Sequence, residues 1–339
     1  MQFAWHGDKR GKFKDSLHTE LMWVQAREFV FLGAGTLGTT EILLRSRAYG
    51  LKMSPKLGMN MSGNGDILAF GYNSKMIANA IGTQNESYLT TSPVGPTING
   101  IIDMRDEEVA PNVLDGYVIE EGAVPEALAP LLETIFRLTP GKVGLGRVKL
   151  VEEVTELAAK VSEKAFGPWH HGGSLNRTMI YLIMSHDDNQ ATLTLENNKP
   201  YLQFLGVERS DHVQKLNGVL TKASKAIGAE FIPNPFSSEI LGQNEITVHP
   251  IGGANMSSDG TGLNGVTNHF GQVFKGTGSD VYDGLVVVDG AVVPAALGCN
   301  PFATITAFAE RSVRGVAKAN GIEIDYASQN GISSSSAFS

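Results

Sequence analysis

The chain has 339 residues, 42% of them hydrophobic and 18% charged, which is the composition of a globular protein with room for two domains and a sizeable core. A net charge of -8 without any dense block of Lys or Arg excludes the basic face that a nucleic-acid partner requires. A single cysteine, Cys299, excludes an internal disulfide framework, and no apolar run is long enough for a membrane span.

Residues 1–27 are polar and charged and read as an edge hairpin or a cut end; the opening "MQFAWHGDKRGKFKD" has no apolar signal core, which favours a cytoplasmic location. Phe29 to Leu32 form a short buried-strand run, followed by the turn Gly33-Ala34-Gly35-Thr36-Leu37-Gly38 and a helix from Thr39 to Tyr49, before Gly50. From about Leu51 the texture becomes strand-rich, with runs such as "DILAFGY", "TINGIIDM" and "GYVIEEGAV". Helices are expected at Pro125 to Leu138 and at Ser210 to Gly228. In the second of these Val213, Leu216, Val219, Leu220, Ala223, Ala226 and Ile227 define one buried face. Between the two helices, "QATLTLENNKPYLQFLG" reads as a hairpin about Asn-Asn-Lys-Pro.

The last third returns to the first texture. A Leu285 to Val288 strand leads to a turn at Gly290 and a helix from Pro301 to about Ala319, with Asn300 as its N-cap, Pro301 at N1, Lys318 in its last turn and Gly321 beyond. After Asp325 the chain is low-complexity and expected to be disordered. The order α/β, strand-rich, α/β predicts a sheet domain interrupted by an inserted domain.

The G-x-G-x-x-G turn places glycines where a backbone can approach a pyrophosphate at a helix N-terminus. A self-sufficient NAD site would also need an acidic residue about 20 positions on. None occurs between Glu41 and Asp66, which disfavours a complete NAD-dependent enzyme. His249, in "HPIGG" after the run "EITV", leaves a strand into a glycine turn; by residue type alone it is a structural histidine or a catalyst. Trp169-His170-His171 and His186-Asp187-Asp188-Asn189 lack three ligands at metal spacing and read as loop or surface residues, so no metal is expected. Cys299, among small apolar residues, reads as a packing residue.

Taken in order, "FLGAGTLGTTEILLRS", "GNGD", "VHPIGG" and "LVVVDGAVVPAALGCNPFATITAFAER" resemble the carboxy-terminal two-thirds of the glucose-methanol-choline (GMC) flavoprotein oxidoreductases, over residues 25 to 320, and most of all their cholesterol-oxidising branch. The resemblance implies an α/β fold: an incomplete Rossmann-like FAD-binding domain interrupted by an α+β substrate domain on a mixed or antiparallel sheet. The corresponding boundaries are 1–61 for the partial FAD-binding domain, 62–245 for the substrate-binding domain, 246–325 for the second FAD-binding segment and active site, and 326–339 for the tail.

The resemblance further implies FAD as cofactor, a small-molecule alcohol oxidised at its CH–OH group, a sterol or another bulky alcohol, and O2 as a candidate electron acceptor. Carried over by position, His249 matches the active-site histidine, Asn300 the asparagine near flavin and substrate oxygen, and Glu120 the active-site carboxylate. Gly33, Gly35, Asp289, Gly290, Asn300, Pro301 and Phe302 match cofactor-facing positions. Two departures stand out. Val248 replaces an aromatic that usually precedes the histidine in the sterol-oxidising branch, and the family's first βαβ unit, which grips the ADP half of FAD, has no counterpart. The second departure leads to the expectation of an incomplete chain, and to an alternative reading as a non-catalytic remnant that cannot hold FAD alone.

Overall fold

Among the residues that the computed structural model describes (2–4, 21–82, 94–95, 97–108, 110–130, 132, 136, 173–203, 210–234 and 247–326), runs of strands are interspersed with helices. The chain divides into two units: Met1–Leu57, Ala254–Val292 and Ile305–Ser339 form the first, and Gly58–Gly253 with Val293–Thr304 the second. The mixed α/β class matches the expectation from sequence. The segment 246–325, read above as one domain segment, contributes to both units.

In the first unit, β1 (Gln2–Ala4) pairs antiparallel with β2 (Leu21–Trp23), in line with the edge hairpin that is one of the two readings of residues 1–27. β3 (Val30–Leu32) runs parallel to β12 (Val281–Val287), which pairs antiparallel with β11 (Gln272–Phe274). Val286, Val287, Val273 and Phe274 are fully buried. The helix α1 (Gly35–Ala48) begins one turn earlier than the sequence suggested, because Gly35 to Gly38 are themselves wound into its first turn.

The second unit is built on the antiparallel sheet β10-β4-β7-β6-β5, formed by β4 (Ile67–Tyr72), β5 (Ile101–Asp103), β6 (Val118–Glu121), β7 (Met179–Met184) and β10 (Glu230–Ile232). Successive side chains of a strand face opposite ways, so β4 and β7 feed two cores. Ile67, Ala69, Tyr181 and Ile183 pack with Leu216 and Leu220 of α2 (Ser210–Ala226), whereas Phe70 and Ile180 pack with Val124, Leu132 and Phe136 on the other face. The buried hydroxyls of Tyr181 and Ser224 tie sheet to helix at 3.1 Å. The apolar stripe of α2 is as expected except that Ala226 is exposed. Replacing the fully buried Leu216 by Ala should cost about 2–5 kcal/mol of stability, to be measured by urea unfolding of the two proteins.

The predicted hairpin is present as β8 (Thr192–Glu196) and β9 (Lys199–Gln203). Its two-residue turn is Asn197-Asn198, both at positive φ (49° and 61°), as a type I′ loop requires. Lys199 and Pro200 therefore belong to β9 rather than to the turn. The helix expected at Pro125 to Leu138 opens as a 3-10 turn, Glu126–Leu128, and most of its remainder lies outside the described residues. So do Trp169-His170-His171 and the tail beyond 326. Three helices close alike: α1, α2 and α3 (Phe302–Ala319) each end in paired backbone bonds around Gly50, Gly228 and Gly321, all at positive φ.

Candidate functional site

In the first unit, the turn between β3 and α1 is braced from within. Thr39 Oγ1 accepts a bond from the Ala34 N–H at 3.1 Å and donates its proton to the buried Asp289 carboxylate. Asp289 also accepts from the N–H of Ala291 at 2.9 Å and from the Gly35 backbone. Burial raises the Asp289 carboxyl above the ordinary aspartate range, and these hydrogen bonds pull in the opposite direction. Gly290, Ala291 and Val292 are buried in a short 3-10 turn. Gly33 sits against Val288, while a Cβ on Gly35, at φ 76°, would meet nothing within 4 Å. The sequence-derived residues Gly33 and Gly35 thus lie in one turn, open at Gly35, and Asp289 and Gly290 at a second one bonded to it, with the Asp289 carboxylate as the brace.

The second unit gathers His249, Glu120 and Asn300. Asp66, at the entrance to β4, organises the first of them: its Oδ2 accepts from the N–H groups of Val248 (2.9 Å) and His249 (3.1 Å) and from Thr247 Oγ1 (3.1 Å). The His249 ring turns Nδ1 onto the same carboxylate, 3.0 Å from Oδ2 and 3.1 Å from Oδ1. The Asp66 side chain is 6% exposed and that of His249 22%, so the carboxylate is shielded while the imidazole reaches solvent. Burial lowers the imidazole pKa, but the hydrogen bond to Asp66 and the negative charges of Asp66 and Glu120 outweigh it, leaving the pKa above 6.5.

Glu120 lies in β6 opposite Leu182 of β7 and Ile101 of β5. Only 2% of it is exposed, and its Oε2 accepts a bond from Asn300 Nδ2 at 3.1 Å. This corrects the expectation of Asn300 as an N-cap. The helix α3 begins at Phe302, and the Asn300 amide nitrogen is spent on Glu120. Pro301 is buried and Phe302 is 79% exposed at the first helical position, with no acidic residue in the first turn. Val248, beside His249, is 61% exposed.

His186 to Asn189 lie in a loop, one of the two readings given above, but the first two of them are not at the surface. His186 and Asp187 are 8% and 9% exposed. Asp187 Oδ2 accepts from Ser62 Oγ (2.8 Å) and the N–H groups of Gly63 (2.8 Å) and Gly65 (3.3 Å), fixing the loop that delivers Asp66. A carboxylate that takes several donors of one loop needs no metal to be satisfied when buried. Among the described residues, no group of three or more His, Cys, Asp or Glu side chains can hold a metal ion. Nor is any described helix long and apolar enough to cross a membrane.

The second unit of this mixed α/β chain thus places a histidine within electrostatic range of a buried carboxylate, and known proteins resemble the chain over part or most of its length. Residues 207–309 match the family model described as GMC oxidoreductase. The chain is similar to a cholesterol oxidase from Acinetobacter baumannii, with 31% identity over 142 residues that make up 40% of this chain and 24% of the relative. It therefore spans about a quarter of the length of that protein. In fold it is similar to an FAD-dependent oxidoreductase from Chaetomium thermophilum, at 16% identity and TM-score 0.52, the match covering 90% of this chain and 58% of the other. A fungal aryl-alcohol oxidase aligns at 17% identity and TM-score 0.47, over 90% of this chain and 57% of that one.

Proposed function

We propose that this chain is part of an FAD-dependent oxidoreductase that oxidises the CH–OH group of an alcohol, with His249 as the proton-accepting residue. The observation that carries the reading is the Asp66–His249 pair beside the buried Glu120–Asn300 pair. A carboxylate on Nδ1 selects the tautomer with the proton on that nitrogen, so Nε2 carries the lone pair. A hydroxyl brought to Nε2 loses its proton there as hydride leaves the carbon. The neighbouring negative charges stabilise the imidazolium that results, and they do so at the moment it forms.

The residues present fit a flavin in two respects. The turn at Gly35 is open to a backbone approach, and an exposed Phe302 ring begins an 18-residue helix with no acidic residue in its first turn. In the first unit, Gly33, Gly35, Asp289 and Gly290 would hold FAD, with Asp289 contributing as the brace of its turn. Bound FAD would supply the hydride acceptor. Asn300 orients by its amide, and Glu120 is a second carboxylate within electrostatic range of His249.

The substrate class is a small-molecule alcohol, a sterol or another bulky one, with O2 as candidate electron acceptor; similarity to a cholesterol oxidase supports the sterol, and the valine at 248 leaves room for non-steroid alcohols. The reading is tested by purifying the chain with and without added FAD and recording the visible spectrum. Retained flavin absorbance after desalting supports it. A protein that stays colourless with FAD present fails it for this chain, and points to the non-catalytic alternative.

A further inference from the structure

We propose that Asn64 is a positioning residue: it clamps the backbone on both sides of Gly298 and so sets where the Asn300 amide points. This rests on the reading of Asn300 and Glu120 given above. The Asn64 side chain is fully buried, and its two polar atoms are both spent on one segment. Oδ1 accepts the N–H of Leu297 at 2.9 Å, and Nδ2 donates to the carbonyl of Cys299 at 2.8 Å. The next residue is Asn300, whose amide nitrogen reaches Glu120.

The segment is held at further points. Asn189 Oδ1 accepts the Ala296 N–H at 3.0 Å, and Gly298, at φ 65°, packs so closely on His186 that a Cβ there would come within 2.5 Å of Nε2. A side chain at 298 is therefore excluded by both space and backbone. Asn64 stands at the end of this chain of supports. Its own N–H donates to Ser62 Oγ at 2.8 Å, and Ser62 in turn donates to Asp187. Two residues further on, the same loop provides Asp66 for His249. One short loop thus holds both the histidine and the strap that carries the asparagine.

Two features make asparagine the residue for this position. Its φ is 60°, a left-handed conformation that among residues with a Cβ asparagine and aspartate adopt most readily. An amide carries its donor and its acceptor on two separate atoms of one short planar group, one for each of the two backbone bonds. The two requirements separate by mutation. Asn64→Gly keeps the backbone and removes both bonds; Asn64→Asp keeps an acceptor for Leu297 N–H and loses the donor to Cys299.

The test uses the chain with ¹⁵N-labelled asparagine and follows the side-chain amide of Asn300, identified by its loss in Asn300→Ala. Exchange of that amide with solvent should speed up by about tenfold in Asn64→Gly, the equivalent of one net hydrogen bond. In the FAD-loaded enzyme of full length, kcat should fall by about tenfold with KM within about twofold, and Asn64→Gly should add no further loss in an Asn300→Ala background. Unchanged exchange at Asn300, or losses that simply multiply, would overturn the proposal. Should Asn64→Gly fail to fold, Asn64→Asp gives the same two readouts. If the amide loosens but the parent enzyme oxidises no alcohol, the positioning role stands and the proposed reaction falls.

Discussion

His249→Ala should lower alcohol-dependent flavin reduction by about 10²- to 10⁴-fold in an enzyme of full length, with FAD still bound. The size follows from what the side chain does. The imidazole is half-buried, with one nitrogen committed to Asp66, and in the proposed reaction the other is the base. The alanine side chain cannot accept the hydroxyl proton. The loss should appear in kcat and in kcat/KM alike, because the interaction with a departing proton develops only as the reaction proceeds. Flavin reduction followed by stopped-flow absorbance isolates this step from reoxidation. A rate within about threefold of the parent would remove His249 from the reaction and move the base to Glu120, the buried carboxylate bonded to Asn300.

How much of this was legible in the sequence depends on which residues are considered. The α2 stripe and the three helix ends follow from apolar periodicity and glycine placement, which are local signals. The turn between β3 and α1, and the residues His249, Asn300 and Glu120, stand in motifs read directly from "GAGTLG", "HPIGG", "GCNPF" and "YVIEEGAV". Asp66 and Asn64 were missed as site residues although "GNGD" was noted. A loop carboxylate carries no periodic signature, and its partners lie 181 to 183 residues away in the chain. The available signal was chemical: a run of small polar residues just before the buried strand β4 has to bury its polar groups on something. Two misreadings have the same origin. Asn300 has the residue type of a cap and is used by a carboxylate 180 residues away, and His186-Asp187, in a loop, looks like surface until Gly63 and Gly65 are folded onto Asp187.

Asp66→Asn should shift the pH dependence of the reaction and lower its maximum. With His249 acting as a base, kcat/KM rises with pH as the imidazole loses its proton, and in the parent this limb lies above 6.5 because Asp66 and Glu120 stabilise the charged ring despite its burial. Removing the Asp66 charge removes most of that support, so the limb should move to lower pH. The plateau should also drop, by about 10²-fold, because an amide can present its N–H to Nδ1 and hold the tautomer whose Nε2 already carries a proton. Stability should change in the corresponding direction. A histidine whose pKa is raised on folding contributes stability that is complete below its unfolded value of about 6.5 and is lost as pH rises through the folded value. The parent should therefore lose this contribution across that window, and Asp66→Asn should show a flatter dependence. Kinetic profiles and urea unfolding at matched pH values check the two arms separately. A limb that moved upward, or did not move at all, would show that Asp66 does not control the His249 charge.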